Sequence, residues 1–389
     1  MLNTMARLPR RLASELNEKL RSPEVAGVVA GIEGKLTQRR RDQKMQSGAF
    51  RGVHVIVYRG FVADDVARVR VRVIETPELP GDSRIPYWEV AQANVRRHAA
   101  LHIVGAEVEL RIGNHAATEI TDDHGFANFT LAVPGLRVGW HEAVAVTRPI
   151  EDVELAAGTG SVVKPPLRAP FLVISDIDDT ILLTGLTEGV AMVTRTLLRD
   201  AEERRAIPGM AALYRGLARG LPNRAGNRRP EPTFFYVSTG SWSFYSMLEQ
   251  FVELRGFPRG SMFLTDWGPT ERYLRRSGAE HKRTAIRRLF EAYPGMQFVL
   301  VGDSGQRDPL TYEEMARAFA GHVKLIVIRQ VGSDDDERNS ELREKAAALR
   351  DEGIPIYLVV DAAEAAELAH SLDLCDEQTL QEVTAEHGR

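Results

Sequence analysis

Hydrophobic and polar residues alternate along much of the first half of the chain. Valine occupies every second position in residues 53–57 and again in residues 69–73, and residues 107–112 repeat the alternation. A strand that buries one face and exposes the other produces this spacing. Several such strands separated by turn sequences predict a small β-sandwich-like domain over residues 51–155.

After residue 169 the alternation gives way to short, continuous hydrophobic runs. Residues 171–175, 234–237 and 297–302 are almost wholly apolar, and stretches with helical spacing separate them. A strand with both faces buried has this composition, and strands that alternate with helices form parallel sheets. The sequence therefore predicts an α/β fold over residues 170–365, with a doubly wound parallel sheet between two layers of helices.

Three further segments complete the predicted organisation. Residues 1–50 form a basic helical arm, residues 156–169 a linker rich in Gly and Pro, and residues 366–389 a C-terminal helical tail. The arm holds ten Lys or Arg residues against five Asp or Glu, a net charge of +5. It is either a helix in peripheral contact with an anionic membrane or a solvated leader helix. Co-sedimentation with anionic vesicles, with and without residues 1–50, distinguishes the two.

Composition removes several classes of protein. The formal net charge of −4 gives no reason to expect nucleic-acid binding. The one cysteine, Cys375, allows neither an intramolecular disulfide nor a cysteine-based zinc site. No apolar run reaches the roughly eighteen residues of a membrane span, and Pro9 and Arg10 interrupt the place of a signal peptide's apolar core. We expect a cytoplasmic protein, and the sequence leaves its oligomeric state open.

Polar residues follow the predicted central strands at the points where those strands end. The carboxyl ends of parallel strands meet at one edge of the sheet, which is where such folds place their active sites. We therefore expect these side chains to lie together, with a lysine from the start of a predicted helix beside them. The residues are Asp176, Asp178, Thr180, Ser238, Thr239, Gly240, Lys282, Asp303 and Asp308.

These residue types together suit phosphoryl transfer. Asp176 and Asp303 at neighbouring strand ends would repel each other unless a cation lay between them, and hard oxygen ligands suit Mg²⁺. The Asp176 carboxylate could attack phosphorus and form an aspartyl-phosphate. Asp178 could protonate the leaving oxygen and then activate water. Ser238 and Lys282 could hold the phosphoryl oxygens, with Lys282 offsetting their charge.

The order of these residues resembles the four motifs of haloacid-dehalogenase-like phosphatases. That resemblance implies that Asp176 is nucleophile and metal ligand, and that Asp178 is the acid/base and binds metal through its carbonyl. It implies that Asp303 and Asp308 ligate or orient Mg²⁺. We also expect Thr180, Thr239 and Gly240 to join Ser238 in contacting substrate. The matching pattern is Asp176-x-Asp178-x-Thr180, Ser238, Lys282 and Gly302-Asp303-x4-Asp308.

A narrower resemblance covers residues 170–330. The blocks SDIDDTIL, YVSTGSW, FLTDWG, HKRTAIRRLFEAYP and FVLVGDSGQRDPLTYEEMA resemble the actin-patch-protein family of phosphatidate phosphatases. The resemblance implies hydrolysis of phosphatidate to diacylglycerol. Two alternatives stay open: a phosphatase of the same class that acts on a soluble phosphomonoester, and a binding scaffold with a relic phosphatase domain.

Three features near the predicted site each have two interpretations. Trp242, Phe244 and Tyr245 could form an aromatic patch that faces lipid or could pack inside the protein. Asp308 could ligate metal or cap the helix that begins there. His281 could steer substrate or make a structural hydrogen bond.

Overall fold

The computed structural model describes seven stretches of the chain. The predicted basic arm lies outside the described residues, so both interpretations of the arm remain predictions. Residues 184–205 and 222–228, between the first two predicted strands of the α/β fold, also lie outside the described residues. The described residues are 52–76, 101–148, 155–183, 206–221, 229–265, 271–333 and 336–387.

Eight strands precede the α/β fold within the described residues. The strands are β1 (Val53–Val57), β2 (Gly60–Ala63), β3 (Val66–Glu75), β4 (Glu107–Ile112), β5 (His115–Ile120), β6 (Phe126–Ala132), β7 (Gly139–Thr147) and β8 (Ala157–Lys164). They are hydrogen-bonded in the order β1-β3-β2-β8-β7-β4-β5, with β6 paired to β3. Every described pair among them is antiparallel except β2 with β8.

The predicted alternation places the apolar residues of these strands in one core. In β3 the side chains of Val69, Val71 and Val73 are buried, and in β4 those of Val108 and Leu110 are buried with them. The burial of every second residue follows from the two-residue repeat of a strand. The strands predicted at residues 53–57, 69–73 and 107–112 are confirmed.

The predicted linker is wrong over most of its length, because residues 157–164 form strand β8. Two glycines suggested a loop, yet both serve packing. A Cβ at Gly158 would collide with the main-chain oxygen of Val55, and a Cβ at Gly160 with that of Val57. Glycine inside a strand often marks such a close approach of another backbone.

The second half contains a six-stranded sheet. Its strands are β9 (Leu172–Asp176), β10 (Phe234–Ser241), β11 (Gly260–Thr265), β12 (Phe298–Asp303), β13 (Val323–Arg329) and β14 (Ile356–Val359). All are parallel, in the order β11-β10-β9-β12-β13-β14. A 3₁₀ turn at Trp242–Phe244 follows β10. The helices are α1 (Met210–Arg219), α2 (Tyr245–Leu254), α3 (Glu271–Ala292), α4 (Asp308–Ala318), α5 (Glu337–Asp351), α6 (Ala362–Ser371) and α7 (Glu377–His387).

Helices cover both faces of this sheet, which confirms the predicted α/β architecture. Val173 and Val301 point to one face, where they share a core with residues of α1, α2, α6 and α7. Leu172, Ile174 and Leu300 point to the other face, where they share a core with residues of α3, α4 and α5. Strands buried on both faces read as continuous apolar runs, as the sequence does here.

Three predicted boundaries need correction. Helix α6 crosses residue 365, where the α/β domain was predicted to end. The predicted tail is helical, but Val383 of α7 is buried in the core that covers the sheet, and Arg219 of α1 pairs with Glu382 at 2.9 Å. Helix α3 begins at Glu271, eleven residues before the predicted start at Lys282. Helix α1 was not predicted.

The β strands pack directly on the α/β fold. The ring of Tyr58 lies 4.4 Å from that of Trp242 and 4.7 Å from that of Tyr245, centroid to centroid. Arg59 is buried and its Nε lies 2.9 Å from Glu249 of α2. Trp242 and Tyr245 are therefore packing residues, and the lipid-facing interpretation is wrong for both. No described helix is long and apolar enough to cross a membrane.

The substitution Phe61→Ala should weaken the packing between the β strands and the α/β fold. Phe61 is 7% exposed and its ring contacts Phe235, Phe263 and Tyr293. Loss of this buried aromatic ring should lower the free energy of unfolding by about 3–5 kcal/mol, measured by urea denaturation. Ile120→Ala, at a position 66% exposed, should change little. Far-UV circular dichroism and tryptophan fluorescence should report one coincident transition; two separate transitions would contradict the shared core.

Candidate active site

The carboxyl ends of β9, β10 and β12 bring the predicted residues to one edge of the sheet. Asp176 is the last residue of β9 and Asp303 the last residue of β12. Ser238 of β10 comes directly after Val237, which pairs with Asp176. Asp176, Ser238 and Asp303 are buried, as is Asp308 at the start of α4. The structure therefore brings these strand ends to one edge of the sheet, and the roles predicted for the residues stay predictions.

Three buried carboxylates form the centre of the site. Asp176, Asp303 and Asp308 each offer one carboxylate oxygen, and these oxygens lie within 4.8 Å of one another. Asp303 Oδ1 accepts the main-chain N–H groups of Gly305 at 2.6 Å and Gln306 at 3.0 Å. Asp303 Oδ2 is buried and has no hydrogen-bond partner among the described residues. A buried acceptor left in this way requires a ligand to compensate its desolvation.

Lys282 is the cation that the structure places among these carboxylates. Its Nζ lies 2.6 Å from Asp176 Oδ1 and 2.6 Å from Asp308 Oδ1, and it donates to Gln306 Oε1 at 3.2 Å. The residue lies on α3 and is 3% exposed. Lys282 therefore bridges two of the three carboxylates and leaves Asp303 Oδ2 uncompensated.

The charge of Lys282 does not fully offset the effects that raise the pKa of Asp176 and Asp303. Burial raises the pKa of Asp176 well above its ordinary value, and Lys282 only partly offsets this while Asp308 and Asp303 add to it. Burial, with the charge of Asp308 next, raises the pKa of Asp303 to about 8. Burial alone would lower the pKa of Lys282, but Asp176 and Asp308 raise it above its usual range. A further cation would lower the pKa of Asp176 and of Asp303 and so favour their ionised forms.

The donor set fits magnesium. Asp176, Asp303 and Asp308 supply only hard carboxylate oxygens, and Mg²⁺ is typically bound by a few such groups with waters and substrate oxygens completing the shell. Zinc sites favour nitrogen and sulfur ligands, which this cluster lacks. The side chain of Asp178 lies outside the cluster. The metal contact predicted for this residue is through its main-chain oxygen. That oxygen accepts a hydrogen bond from Gln306 Nε2 at 3.3 Å.

Ser238 and Thr180 contact the carboxylates of Asp178 and Asp176. Ser238 Oγ donates to Asp178 Oδ2 at 2.7 Å and accepts the N–H of Gly240 at 2.9 Å. Thr180 Oγ1 donates to Asp176 Oδ2 at 3.2 Å. Both hydroxyls were predicted to contact substrate, a role that stays a prediction; in this structure they orient the two aspartates.

The carboxyl group of Asp178 lies outside the cluster of three carboxylates and also has a shifted pKa. Burial raises the pKa of its carboxyl group, and the hydrogen bond from Ser238 only partly lowers it. A carboxyl group with a raised pKa retains its proton closer to neutral pH. Asp178 can therefore donate a proton where an ordinary aspartate could not.

Thr239 and Gly240 are held by a residue that the sequence analysis did not single out. Thr265 Oγ1, at the end of β11, donates to the main-chain oxygens of Thr239 at 3.0 Å and Gly240 at 3.2 Å. The main chain after Ser238 is therefore tied to the neighbouring strand. Thr265 ends a parallel strand at the same edge, so the strand-end rule could have found it.

The structure shows contacts that bear on the two interpretations of Asp308 and on the two interpretations of His281. Asp308 is the first residue of α4, Arg307 occupies the N-cap position, and the Asp308 carboxylate accepts from Lys282 and from the N–H of Asp303 at 3.3 Å. The capping interpretation is therefore wrong. His281 hydrogen-bonds the main-chain oxygen of Phe263 at 3.2 Å, as the structural interpretation predicts.

Two further residues of the site were missed. Gln306 contacts both Lys282 and the Asp178 carbonyl, and Arg329 donates from Nε and Nη2 to the carbonyl of Asp179 at 2.8 and 2.6 Å. Asp179 has a left-handed φ of 53°, a conformation that non-glycine residues adopt rarely. Arg329 thus holds the sharp turn after Asp176. It ends β13, so the strand-end rule applies to it as well.

Residues 171–330 match a family model described as the catalytic domain of phosphatidate phosphatase APP1. Over these residues the chain is similar to that family. The match contains all nine predicted site residues, from Asp176 to Asp308, and also Gln306 and Arg329. The resemblance predicted from the sequence blocks is confirmed.

Two fungal proteins are similar to the same part of the chain. Phosphatidate phosphatase APP1 of Saccharomyces cerevisiae is 30% identical over 177 residues, which are 43% of this chain and 28% of that protein. An uncharacterised protein of Schizosaccharomyces pombe is 28% identical over 195 residues, 50% of this chain and 30% of that protein. The chain thus matches less than a third of the length of either relative.

Solved structures give only remote likenesses. A sialyltransferase from Photobacterium damsela matches with a TM-score of 0.23 and 10% identity, covering 85% of this chain and 64% of that one. A β-glucuronidase from Parabacteroides merdae matches with a TM-score of 0.24 and 9% identity, covering 72% and 34%. Scores this low do not establish a shared fold.

Magnesium binding should strengthen as pH rises. The metal needs ionised carboxylates, and in the metal-free site Asp303, with a pKa of about 8, retains its proton at pH 6.5. The dissociation constant for Mg²⁺ should therefore fall by up to about tenfold per pH unit below pH 8, measured by calorimetry between pH 6 and 9. Asp303→Asn should bind more weakly and with a flatter pH dependence. A dissociation constant that is independent of pH would contradict this account.

Lys282→Met should destabilise the metal-free protein, because it removes the cation between Asp176 and Asp308. We expect a loss of about 3 kcal/mol at pH 8, measured by chemical denaturation. The loss should shrink at pH 5, where Asp176, whose pKa is raised well above its ordinary value, carries a proton, and it should also shrink on addition of Mg²⁺. The matched control is Arg283→Met, which removes a partly exposed ion pair with Glu314 and should change little. Equal effects of the two substitutions would argue against a bridging role.

Proposed function

We propose that this protein is a Mg²⁺-dependent phosphatidate phosphatase that releases phosphate and diacylglycerol through an aspartyl-phosphate on Asp176. The observation that carries the proposal is the convergence of Asp176, Asp303 and Asp308 within 4.8 Å around a lysine, with one buried acceptor left over. The match of residues 171–330 to the family model of the APP1 catalytic domain supports the reaction class. We further propose that the parallel sheet is of the haloacid-dehalogenase-like type.

Magnesium has a defined place in this proposal. Asp176, Asp303 and Asp308 would hold it with the main-chain oxygen of Asp178, and once bound it would neutralise charge on the carboxylates and the phosphoryl group. The three aspartates come from β9, β12 and the start of α4, which are packed elements of the fold. Sites on such elements hold their geometry more closely than sites on loops.

Asp176 is the nucleophile in the first step. Its carboxylate oxygen forms a bond to phosphorus while the bond between phosphorus and the glycerol oxygen breaks. Lys282, 2.6 Å from Asp176 Oδ1, favours the ionised form of the carboxylate and offsets the charge of the phosphoryl group. Thr180, bonded to Oδ2 at 3.2 Å, fixes the orientation of the carboxylate. A fixed near-attack geometry lowers the barrier to a bimolecular step.

Asp178 transfers the protons. Its raised pKa allows it to protonate the departing glycerol oxygen, which yields diacylglycerol and leaves Asp178 ionised. In the second step Asp178 removes a proton from water, whose oxygen attacks phosphorus and breaks its bond to Asp176. Phosphate leaves and both aspartates return to their starting forms. Ser238, 2.7 Å from Asp178 Oδ2, holds the acid/base in place.

Phosphate release from phosphatidate with Mg²⁺ tests the function directly. Wild type should release phosphate, and chelation of the metal should abolish the release. Asp176→Asn removes the nucleophile and should reduce kcat by about 10⁴-fold or more. Asp178→Asn removes general acid–base catalysis and should cost about 10²–10⁴-fold.

The two variants should also differ in labelling. Asp178→Asn should still accept a phosphoryl group and accumulate it on Asp176, whereas Asp176→Asn should not. Asp179→Asn is the matched control, because it changes an adjacent carboxylate that lies outside the proposed cluster. Hydrolysis of soluble phosphomonoesters alone would favour a phosphatase with a soluble substrate. No release from either class of substrate would favour a scaffold with a relic domain.

A further inference from the structure

A large cleft lies between the β strands and the α/β fold. Its volume is about 960 Å³, near the upper end of the roughly 300–1,000 Å³ that small-molecule sites span. One wall is the outer side of β3 and β6, and the other is formed by the edge strand β11 and helix α3. The sandwich-like region and the catalytic region therefore share this cleft.

The floor of the cleft is apolar. Phe61 and the partly buried Phe263 contribute aromatic rings to the lining. The Phe61 ring contacts Phe235 and Phe263 at centroid distances of 5.9 and 5.8 Å. These rings are fixed by their neighbours, so the floor offers a rigid apolar surface of the kind that binds hydrocarbon.

The β wall is polar because of the two-residue repeat of its strands. Val69 and Phe129 point into the core of the β region. Their neighbours Arg68 and Thr130 are paired across β3 and β6 and point the opposite way. Asn128 lies on the same face, and all three line the cleft. The wall presents hydrogen-bond donors above an apolar floor.

One end of the cleft is lined by residues that are adjacent in the chain to the candidate active site. Thr239 and Thr265 line it, and Thr239 is adjacent to Ser238, which bonds the Asp178 carboxylate. His281 also lines it and is adjacent to Lys282, which bridges Asp176 and Asp308. A substrate whose phosphate lies at the carboxylate cluster would have its leaving group at the mouth of the cleft.

We propose that this cleft binds the acylated glycerol body of a lipid substrate, with acyl chains on the apolar floor and ester carbonyls toward Arg68, Asn128 and Thr130. The proposal rests on the proposed phosphatase function and extends it to the part of the substrate that does not react. A small soluble phosphomonoester would fill only the end near Thr239. A lipid ester matches the volume, the apolar floor and the donors together.

Binding of dioctanoylglycerol, the short-chain form of the expected product, tests the cleft without any catalysis. Thr130→Trp places an indole in the cleft from an exposed strand position, so the fold should be retained. Wild type should bind the ligand in equilibrium dialysis, and Thr130→Trp should bind at least about tenfold more weakly. Thr118→Trp, at an exposed threonine of β5 outside the cleft, should bind as wild type does.

A kinetic comparison tests the same cleft during turnover. For Thr130→Trp, kcat/KM should fall by at least about tenfold with dioctanoyl phosphatidate and stay unchanged with p-nitrophenyl phosphate, which needs no acyl site. Failure of wild type to bind dioctanoylglycerol, or equal binding by Thr130→Trp, overturns the cleft proposal. Failure of wild type to release phosphate from phosphatidate overturns the proposed function instead, and the dialysis result still decides the cleft.

Discussion

The contact between Lys282 and two buried aspartates is the constraint on which the rest of the site depends. Removing charges from water is costly unless partners compensate them, and here Asp176, Asp303 and Asp308 share one buried lysine. Burial, with the neighbouring negative charges adding to it, raises the pKa of Asp176 and Asp303. Asp303 Oδ2 has no hydrogen-bond partner among the described residues. Stored electrostatic cost of this kind is typical of functional sites. It explains why a divalent cation fits the cluster.

The β strands are part of the same structural unit as the parallel sheet. Tyr58 packs on Trp242 and Tyr245. These two residues lie in the segment that directly follows β10, the strand that carries Ser238. Arg72 donates to Ser243 Oγ at 3.3 Å from the β side. The segment that follows the proposed phosphate-binding residues is therefore supported by both regions. The cleft between the two regions is lined by Trp242 and Thr239 among others, which connects the β region with the proposed binding of substrate.

Much of the candidate site could be predicted because one rule covers it. Polar residues at the carboxyl ends of parallel strands converge whatever the details of packing, and Asp176, Ser238 and Asp303 follow that rule. The linker prediction failed because Gly158 and Gly160 resemble loop residues in sequence, while their role is a close backbone approach seen only in three dimensions. The contact of Gln306 with Lys282 likewise depends on side-chain directions that spacing does not encode.

Metal location is the most direct test of the central claim. Crystals grown with Mn²⁺ in place of Mg²⁺ would reveal the ion by its anomalous scattering. The account predicts one peak bonded to a carboxylate oxygen from each of Asp176, Asp303 and Asp308, with Lys282 Nζ still beside Asp176. A peak elsewhere, or none at these carboxylates with the metal at saturating concentration, would contradict it.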